Sequence, residues 1–158
     1  AIVGRVAFEA FLLCPDNPLD AGFPIVLTRS HLYQYRMRAW AYLGRDWWDA
    51  LDAAGAMGAD EVFVVGGGEI FTLALPCAKL FYLTEVDADP DGEVYFHEWQ
   101  RFVPWCVHPE WEQIAATKWL VDEASGLRYR FLTLERKVPI TNTFEEAGGN
   151  AHFNLLRK

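Results

Sequence analysis

The chain has 158 residues, of which 52% are hydrophobic and 23% charged, proportions typical of one globular domain. Its formal net charge of −8 disfavours a surface that binds nucleic acid or an anionic membrane. Three cysteines and four histidines without metal-ligand spacing predict neither a disulfide framework nor a metal site. We therefore expect a cytoplasmic protein without a nucleic-acid or membrane partner, although the sequence does not indicate its oligomeric state.

Apolar segments and helix-like segments alternate through the first half of the chain. The pattern predicts strands over 1–3 and 24–28, with a helix over 6–13 between them. Asp46 is suited to cap the helix that follows it, and 38–43 are compatible with a short strand. A strand, a helix and a strand in this order predict a parallel pair with a right-handed crossover.

The clearest feature is an apolar run over 62–65 that ends in Gly66, Gly67 and Gly68. The run predicts a buried strand, and the pattern after the glycines predicts a helix that ends near Pro76. A turn without side chains before a helix start lets a phosphate approach backbone N–H groups, where the helix dipole favours its charge. The same residues are also compatible with a tight turn that binds nothing.

The second half of the chain is mostly strand. Strands are expected over 80–86, 111–120 and 127–135, with a hairpin turn at Ser125 and Gly126 before the last of them. The whole pattern predicts an α/β fold with a mostly parallel central sheet, flanking helices and a C-terminal antiparallel hairpin.

Two domain-level expectations follow from the same pattern. Residues 1–136 are expected to form the α/β domain. Residues 137–158 are a polar tail for which the sequence predicts no element beyond a helix compatible with 151–156. Residues 103–107 are expected to be extended.

Three strand ends carry residues suited to a phosphate-bearing ligand. In an open parallel sheet, ligands bind beyond the carboxyl ends of the strands. The first expected strand ends at Gly4-Arg5, the second at Thr28-Arg29-Ser30, and the third at the three glycines. An arginine donates to phosphate in bidentate geometry, although a single one is more often a solvated surface residue. Together the three ends predict a dinucleotide phosphate site, with Arg5 and Arg29 able to hold an extra 2′-phosphate.

Four motifs and two shorter matches occur in the order of the corresponding motifs of the dihydrofolate reductase family, which the chain resembles over residues 1–136. They are Val3-Gly4-Arg5-x-x-Phe8-Glu9-Ala10, Ile25-Val26-Leu27-Thr28-Arg29-Ser30, Val62-Phe63-Val64-Val65-Gly66-Gly67-Gly68-Glu69-Ile70-Phe71, Leu80-Phe81-Tyr82-Leu83-Thr84-Glu85-Val86-Asp87-Ala88, Gly92-Glu93-Val94-Tyr95-Phe96 and Tyr129-x-Phe131. The resemblance implies reduction of dihydrofolate to tetrahydrofolate by hydride transfer from NADPH to a bound pterin.

The resemblance also implies roles for individual residues, and a cis peptide between the first two glycines of the triplet. The positions implied to bind the cofactor are Gly4, Arg5, Ala7, Thr28, Arg29, Ser30, Gly66, Gly67, Gly68, Glu69, Ile70 and Phe71. Those implied to line the pterin pocket are Phe11, Leu19, Val65 and Thr84, with Phe71 contributing beside them. For Leu19 and Val65, an ordinary core position is an equally good interpretation.

The chain departs from the family in four places. The family's N-terminal strand, loop and acid-bearing helix are not found before Ala1, so no catalytic acid is assigned. Ala7 replaces a hydroxyl residue, Phe71 replaces a tyrosine, and Gly22 replaces the arginine that binds the glutamate tail of folate. If the C-terminal tail takes the place of the missing segment, as in a circular permutation, Glu146 would be the substitute acid.

Two other functions are compatible with the sequence. A riboflavin-pathway reductase of the same fold is compatible with the segment 4–11, and it would not need an arginine at the position of Gly22. A non-catalytic nucleotide-binding or structural member would explain why no acid is found. The acidic turn over 87–92, followed by Tyr95 and Phe96, favours the folate reductase.

Overall fold

The computed structural model describes residues 1–17, 19, 22–30, 33, 41–92, 94–96, 109–137 and 152–155. Its strands are β1 (Ile2–Gly4), β2 (Ile25–Leu27), β3 (Tyr42–Gly44), β4 (Glu61–Val64), β5 (Leu80–Val86), β6 (Trp111–Ala116), β7 (Leu120–Val121), β8 (Arg128–Arg136) and β9 (His152–Leu155). Its α-helices are α1 (Arg5–Phe11), α2 (Trp47–Ala56) and α3 (Gly68–Ala74), and a 3-10 helix (Leu75–Cys77) follows α3.

The strands form one mixed sheet in the order β3-β2-β1-β4-β9-β5-β8-β6, and β7 pairs with β8. All neighbours from β3 to β5 along this order are parallel. The antiparallel part begins at β8, which pairs with β5, β6 and β7. The predicted α/β fold with a mostly parallel sheet and an antiparallel C-terminal hairpin is therefore confirmed.

Apolar residues pack on both faces of the sheet because neighbouring strand residues point in opposite directions. In β1, Ile2 belongs to one buried cluster and Val3 to the other. The larger cluster, called the α2–α3 cluster here, includes Ile2, Leu27, Trp47, Leu51, Val64, Ile70, Phe71, Phe81 and Leu134. The smaller, called the α1 cluster, has Val3, Phe8, Leu19, Val26 and Ala41 as its buried members. The strands that lead to the candidate site are therefore held in a sheet with apolar packing on both faces.

Helix α2 begins where the sequence predicts. The Asp46 carboxylate accepts a hydrogen bond from the backbone N–H of Asp49 at 2.9 Å, which satisfies one N–H of the first helical turn. Asp49 in turn accepts from the Arg45 guanidinium at 3.3 Å, from the Arg45 backbone N–H at 2.8 Å and from the Tyr42 hydroxyl at 3.1 Å. These donors link the start of α2 to the end of β3.

We expect the Asp49 carboxylate to make the stability of the protein depend on pH. The hydrogen bonds from the Arg45 side chain and backbone hold the pKa of Asp49 below its ordinary value. A carboxyl group whose pKa is lowered by folding stabilises the protein above the ordinary pKa, and this stabilisation is lost as the pH falls towards the lowered value. Asp49→Asn should therefore be less stable than wild type at neutral pH, with a difference that shrinks below about pH 4.

Urea unfolding at a series of pH values measures this difference. Asp52→Asn is the matched control, because Asp52 is an exposed position of the same helix. A difference between wild type and Asp49→Asn that stays constant from neutral to acid pH would contradict the expectation.

The C-terminal tail does not form the helix that is compatible with 151–156, so that prediction is wrong. Residues 152–155 are β9, which lies parallel between β4 and β5. In the described sheet, β9 is the strand that joins β4 to β5, and both present backbone N–H and C=O groups to it. Hydrogen bonds to the backbone groups of two neighbouring strands stabilise an extended conformation. They outweigh the weak preference of so short a segment for a helix.

The strand expected over 111–120 is divided, because β6 ends at Ala116 and β7 begins at Leu120. The extended segment expected over 103–107 lies outside the described residues, as do most residues of 31–40 and Glu146.

Candidate functional site

The first and third predicted strand ends meet at the carboxyl edge of the sheet. Because β1 and β4 are parallel neighbours, Gly4 lies beside the glycines that follow β4. The backbone N–H of Gly4 donates to the carbonyl oxygen of Gly66 at 2.6 Å. A Cβ on Gly4 would lie 2.9 Å from Cγ1 of Ile70 and 3.5 Å from the backbone nitrogen of Gly67. A side chain at position 4 would therefore disturb this junction.

The three glycines form the turn from β4 into α3, as the sequence predicts. The peptide between Gly66 and Gly67 is cis, and Gly66 has a φ of +109°. The Gly67 carbonyl accepts from the backbone N–H groups of Ile70 at 2.9 Å and Phe71 at 3.0 Å. Among the described residues, no atom outside the adjacent ones lies within 4 Å of the place where a Cβ of Gly67 would be, so the Gly67 backbone borders space that these residues leave open. A ligand can approach the main chain there.

The segment 94–96 packs against this turn and the helix that follows it. A Cβ on Gly68 would lie 2.9 Å from the carbonyl oxygen of Tyr95, so the two backbones are in close contact. The Phe71 and Phe96 rings pack edge to face with centroids 5.7 Å apart. Phe71 is thereby buried in the α2–α3 cluster.

The second strand end forms a compact turn from which Arg29 extends into solvent. The Thr28 hydroxyl accepts a hydrogen bond from the Ser30 backbone N–H at 3.1 Å. The Arg29 side chain is 90% exposed, and its Nη2 donates to Oε2 of Glu69 at 3.1 Å. Glu69 lies in the first turn of α3. The Arg29–Glu69 ion pair therefore connects the second strand end to the third.

Arg5 also lies against a carboxylate. Its Nη1 donates to Oε2 of Glu9 at 3.0 Å, one turn along α1. The guanidinium lies 5.8 Å from the centre of the Tyr33 ring, and burial together with the charge of Glu9 raises the pKa of the Tyr33 hydroxyl. Both arginines predicted to bind phosphate thus lie at the carboxyl edge of the sheet, and each is paired with a glutamate.

The residues predicted to line the substrate pocket are only partly brought together. Leu19 is buried in the α1 cluster, and Phe11 and Val65 pack against that cluster with Ala7. Thr84 lies on β5, opposite Phe131 of β8 and two strands away from β4. The assignment of these side chains to a pterin pocket stays a prediction.

The predicted absence of a metal site stays a prediction, and no catalytic acid is identified among the described residues. Within them, no group of three or more His, Cys, Asp or Glu side chains could hold a metal ion. Glu9 and Glu69, which lie near the first and third predicted strand ends, are both ion-paired. None of the described helices has the length and hydropathy of a membrane-spanning segment.

Two features of the site are missing from the sequence prediction. The pairing of Glu9 with Arg5 could have been inferred, because residues four apart on a helix are neighbours. The pairing of Glu69 with Arg29 joins residues 40 positions apart, and only the order of the strands in the sheet brings them together.

Comparisons with known proteins agree with this geometry. The family model for dihydrofolate reductase matches residues 1–136. A dihydrofolate reductase of Haemophilus influenzae is 32% identical over 138 residues, which cover 86% of this chain and 74% of that protein. Dihydrofolate reductase type 3 of Salmonella typhimurium is 27% identical over 138 residues, with coverages of 86% and 74%.

A solved structure shows the same fold. It is a dihydrofolate reductase from Enterococcus faecalis, in complex with NADP(H) and a further compound. The TM-score is 0.64 at 22% sequence identity, and the match covers 87% of this chain and 73% of that one. With the family match over residues 1–136, the chain belongs to the dihydrofolate reductase family.

Proposed function

We propose that the protein reduces dihydrofolate to tetrahydrofolate with NADPH. The observation that carries this proposal is the junction of Gly4 with Gly66 and Gly67 in a chain whose residues 1–136 match the family model. The curated relatives that match most of this chain are named dihydrofolate reductase, and these names do not favour the riboflavin-pathway alternative.

The residues at the strand ends fit a nucleotide with an extra phosphate. Gly67 borders space that the described residues leave open, so a pyrophosphate could approach its backbone without meeting a side chain of those residues. Arg29 is 90% exposed and lies at the carboxyl edge of the sheet, as expected for a side chain that binds a 2′-phosphate. Arg5 offers a second guanidinium, which lies on the first turn of α1.

We assign each part of the site a role in binding. Arg5, Thr28, Arg29 and Ser30 would hold the adenosine end and its 2′-phosphate, and Gly66 to Ile70 would hold the pyrophosphate and nicotinamide side. The apolar residues Phe11, Leu19 and Val65 would exclude water from the reacting rings, because they belong to or pack against the α1 cluster. Thr84 and Phe71 are proposed to border the same rings.

The reaction adds one hydride and one proton to a carbon–nitrogen double bond of dihydrofolate. When bound, NADPH supplies the hydride and leaves as NADP⁺. The proton reaches the ring nitrogen from a donor that is not assigned among the described residues. What the described residues contribute is binding, orientation and the exclusion of water.

We further propose that the reaction takes place in the cytoplasm. Cys14 and Cys77 are free thiols, and the chain has an odd number of cysteines, both of which favour a reducing compartment. The substrate would be a small molecule, and the net charge of −8 supports the absence of a nucleic-acid partner.

The experiment that tests the proposal is NADPH consumption by the full 158-residue chain with and without dihydrofolate. We expect consumption that requires dihydrofolate and that is much slower with NADH at the same concentration. Tight binding of NADPH without consumption would contradict the proposal and would instead support a nucleotide-binding protein without catalytic activity.

A further inference from the structure

The ion pair between Arg29 and Glu69 crosses the candidate cofactor site. Arg29 follows β2 and Glu69 follows β4, and β1 lies between these strands. The pair therefore links the ends of the two strands that flank β1, and β1 itself ends where Gly4 and Gly66 meet. A ligand lying along this edge of the sheet would encounter the pair.

Both partners are held weakly and are open to competition. Their side chains are 90% and 80% exposed, and the contact is one hydrogen bond of 3.1 Å rather than a bidentate pair. Ion pairs this exposed contribute little free energy because water and salt screen them. A phosphate carries more charge than a carboxylate and can accept two parallel N–H groups of a guanidinium. A bound phosphate would thus displace the Glu69 carboxylate from Arg29.

We propose that Glu69 sets the cofactor preference of the protein by competing with the 2′-phosphate for Arg29. This inference rests on the proposed function, because it takes Arg29 as the 2′-phosphate ligand. The 2′-phosphate distinguishes NADPH from NADH, so this competition weakens the binding of NADPH and leaves that of NADH unchanged. Glu69 thereby limits a preference that Arg29 creates.

The test is to measure the Kd of NADPH and NADH for wild type, Glu69→Gln, Arg29→Ala and the double variant by fluorescence titration. We expect Glu69→Gln to raise the preference for NADPH by roughly two- to fivefold, the upper part of the range that an exposed ion pair contributes. The gain should be absent when Arg29 is alanine, and it should decrease at high salt. Glu123→Gln is the matched control, since it removes one charge from an exposed turn elsewhere.

The possible results separate this inference from the proposed function. If wild type prefers NADPH and Glu69→Gln leaves the preference unchanged, the inference is wrong and the proposed function stands. If Glu69→Gln strengthens NADPH and NADH equally, Glu69 acts by general repulsion of the ligand, which also overturns the inference. If wild type does not prefer NADPH, both are overturned. Circular dichroism checks that the variants fold, as the exposure of both side chains leads us to expect.

Discussion

Replacing Asn154 with proline is expected to lower the free energy of unfolding by about 3 kcal/mol or more. Asn154 is in β9, opposite Phe63 of β4 on one side and Leu80 of β5 on the other. Every backbone N–H of such a strand faces a neighbour, and proline removes one N–H and adds a ring that the pairing cannot accommodate. Because β9 joins β4 to β5 in the described sheet, the loss would separate the two parts of the sheet.

The control for this variant is Ile114→Pro. Ile114 lies on β6, at the edge of the sheet, in an irregularity between Gln113 and Ala115 where strand pairing is interrupted. Proline is tolerated at edges and bulges, so this change should be mild. Urea unfolding followed by far-ultraviolet circular dichroism compares the two. Equal stability of Asn154→Pro and wild type would mean that β9 does not occupy the centre of the sheet.

Replacing Gly66 with alanine is expected to destabilise the protein by about 1–3 kcal/mol and to reduce NADPH affinity at least tenfold. The φ of +109° at Gly66 is one that a residue with a Cβ rarely adopts. The new methyl group would also lie 3.3 Å from Cε2 of Phe71, whose ring is buried. Any backbone shift that relieves this strain moves the Gly66 carbonyl away from Gly4, and the proposed phosphate contacts move with it.

Gly22→Ala is the matched control for Gly66→Ala. Gly22 is exposed, and no atom of the described residues outside its neighbours lies within 4 Å of the place where its Cβ would be. The two variants add the same methyl group at different sites. Urea unfolding and NADPH titration should therefore show the effect of placing it in the turn, separate from the general effect of replacing a glycine with alanine. Unchanged NADPH affinity in Gly66→Ala would contradict the assignment of this turn to the cofactor.

The sequence predicts the parallel half of the fold well, because its strands are short apolar runs that end in glycine or a cap. The strand at 62–65, the three glycines and the helix after them appear in the structure within one residue of their predicted positions. The Asp46 cap and the hairpin turn at Gly126, with a φ of +72°, are found as well. At these positions the local chemistry and the overall fold favour the same conformation.

The central position of β9 could not be predicted from the sequence, because it is decided by distant partners. Nothing within 152–155 indicates whether β4 and β5 pair directly or leave room for a further strand. Glu146, the acid considered in case the tail takes the place of the family's N-terminal segment, lies outside the described residues.

The candidate site shows the same division between local and distant information. Gly4, Arg5 and Arg29 could be identified because they follow apolar runs, and parallel strand ends meet at one edge of a sheet. The partner of Arg29 could not, because Glu69 is brought to it by the order of β2, β1 and β4. Sequence reasoning finds the cofactor-binding groups more readily than the interactions that those groups make in the absence of a ligand.

The measurement that tests the central claim most directly is deuterium transfer from NADPH labelled at its reactive carbon to dihydrofolate, catalysed by the full chain. We expect tetrahydrofolate that carries one deuterium for each NADPH consumed, with mass spectrometry as the readout. Tetrahydrofolate without deuterium, or NADPH that binds and is not consumed, would contradict the assignment of this protein as a dihydrofolate reductase.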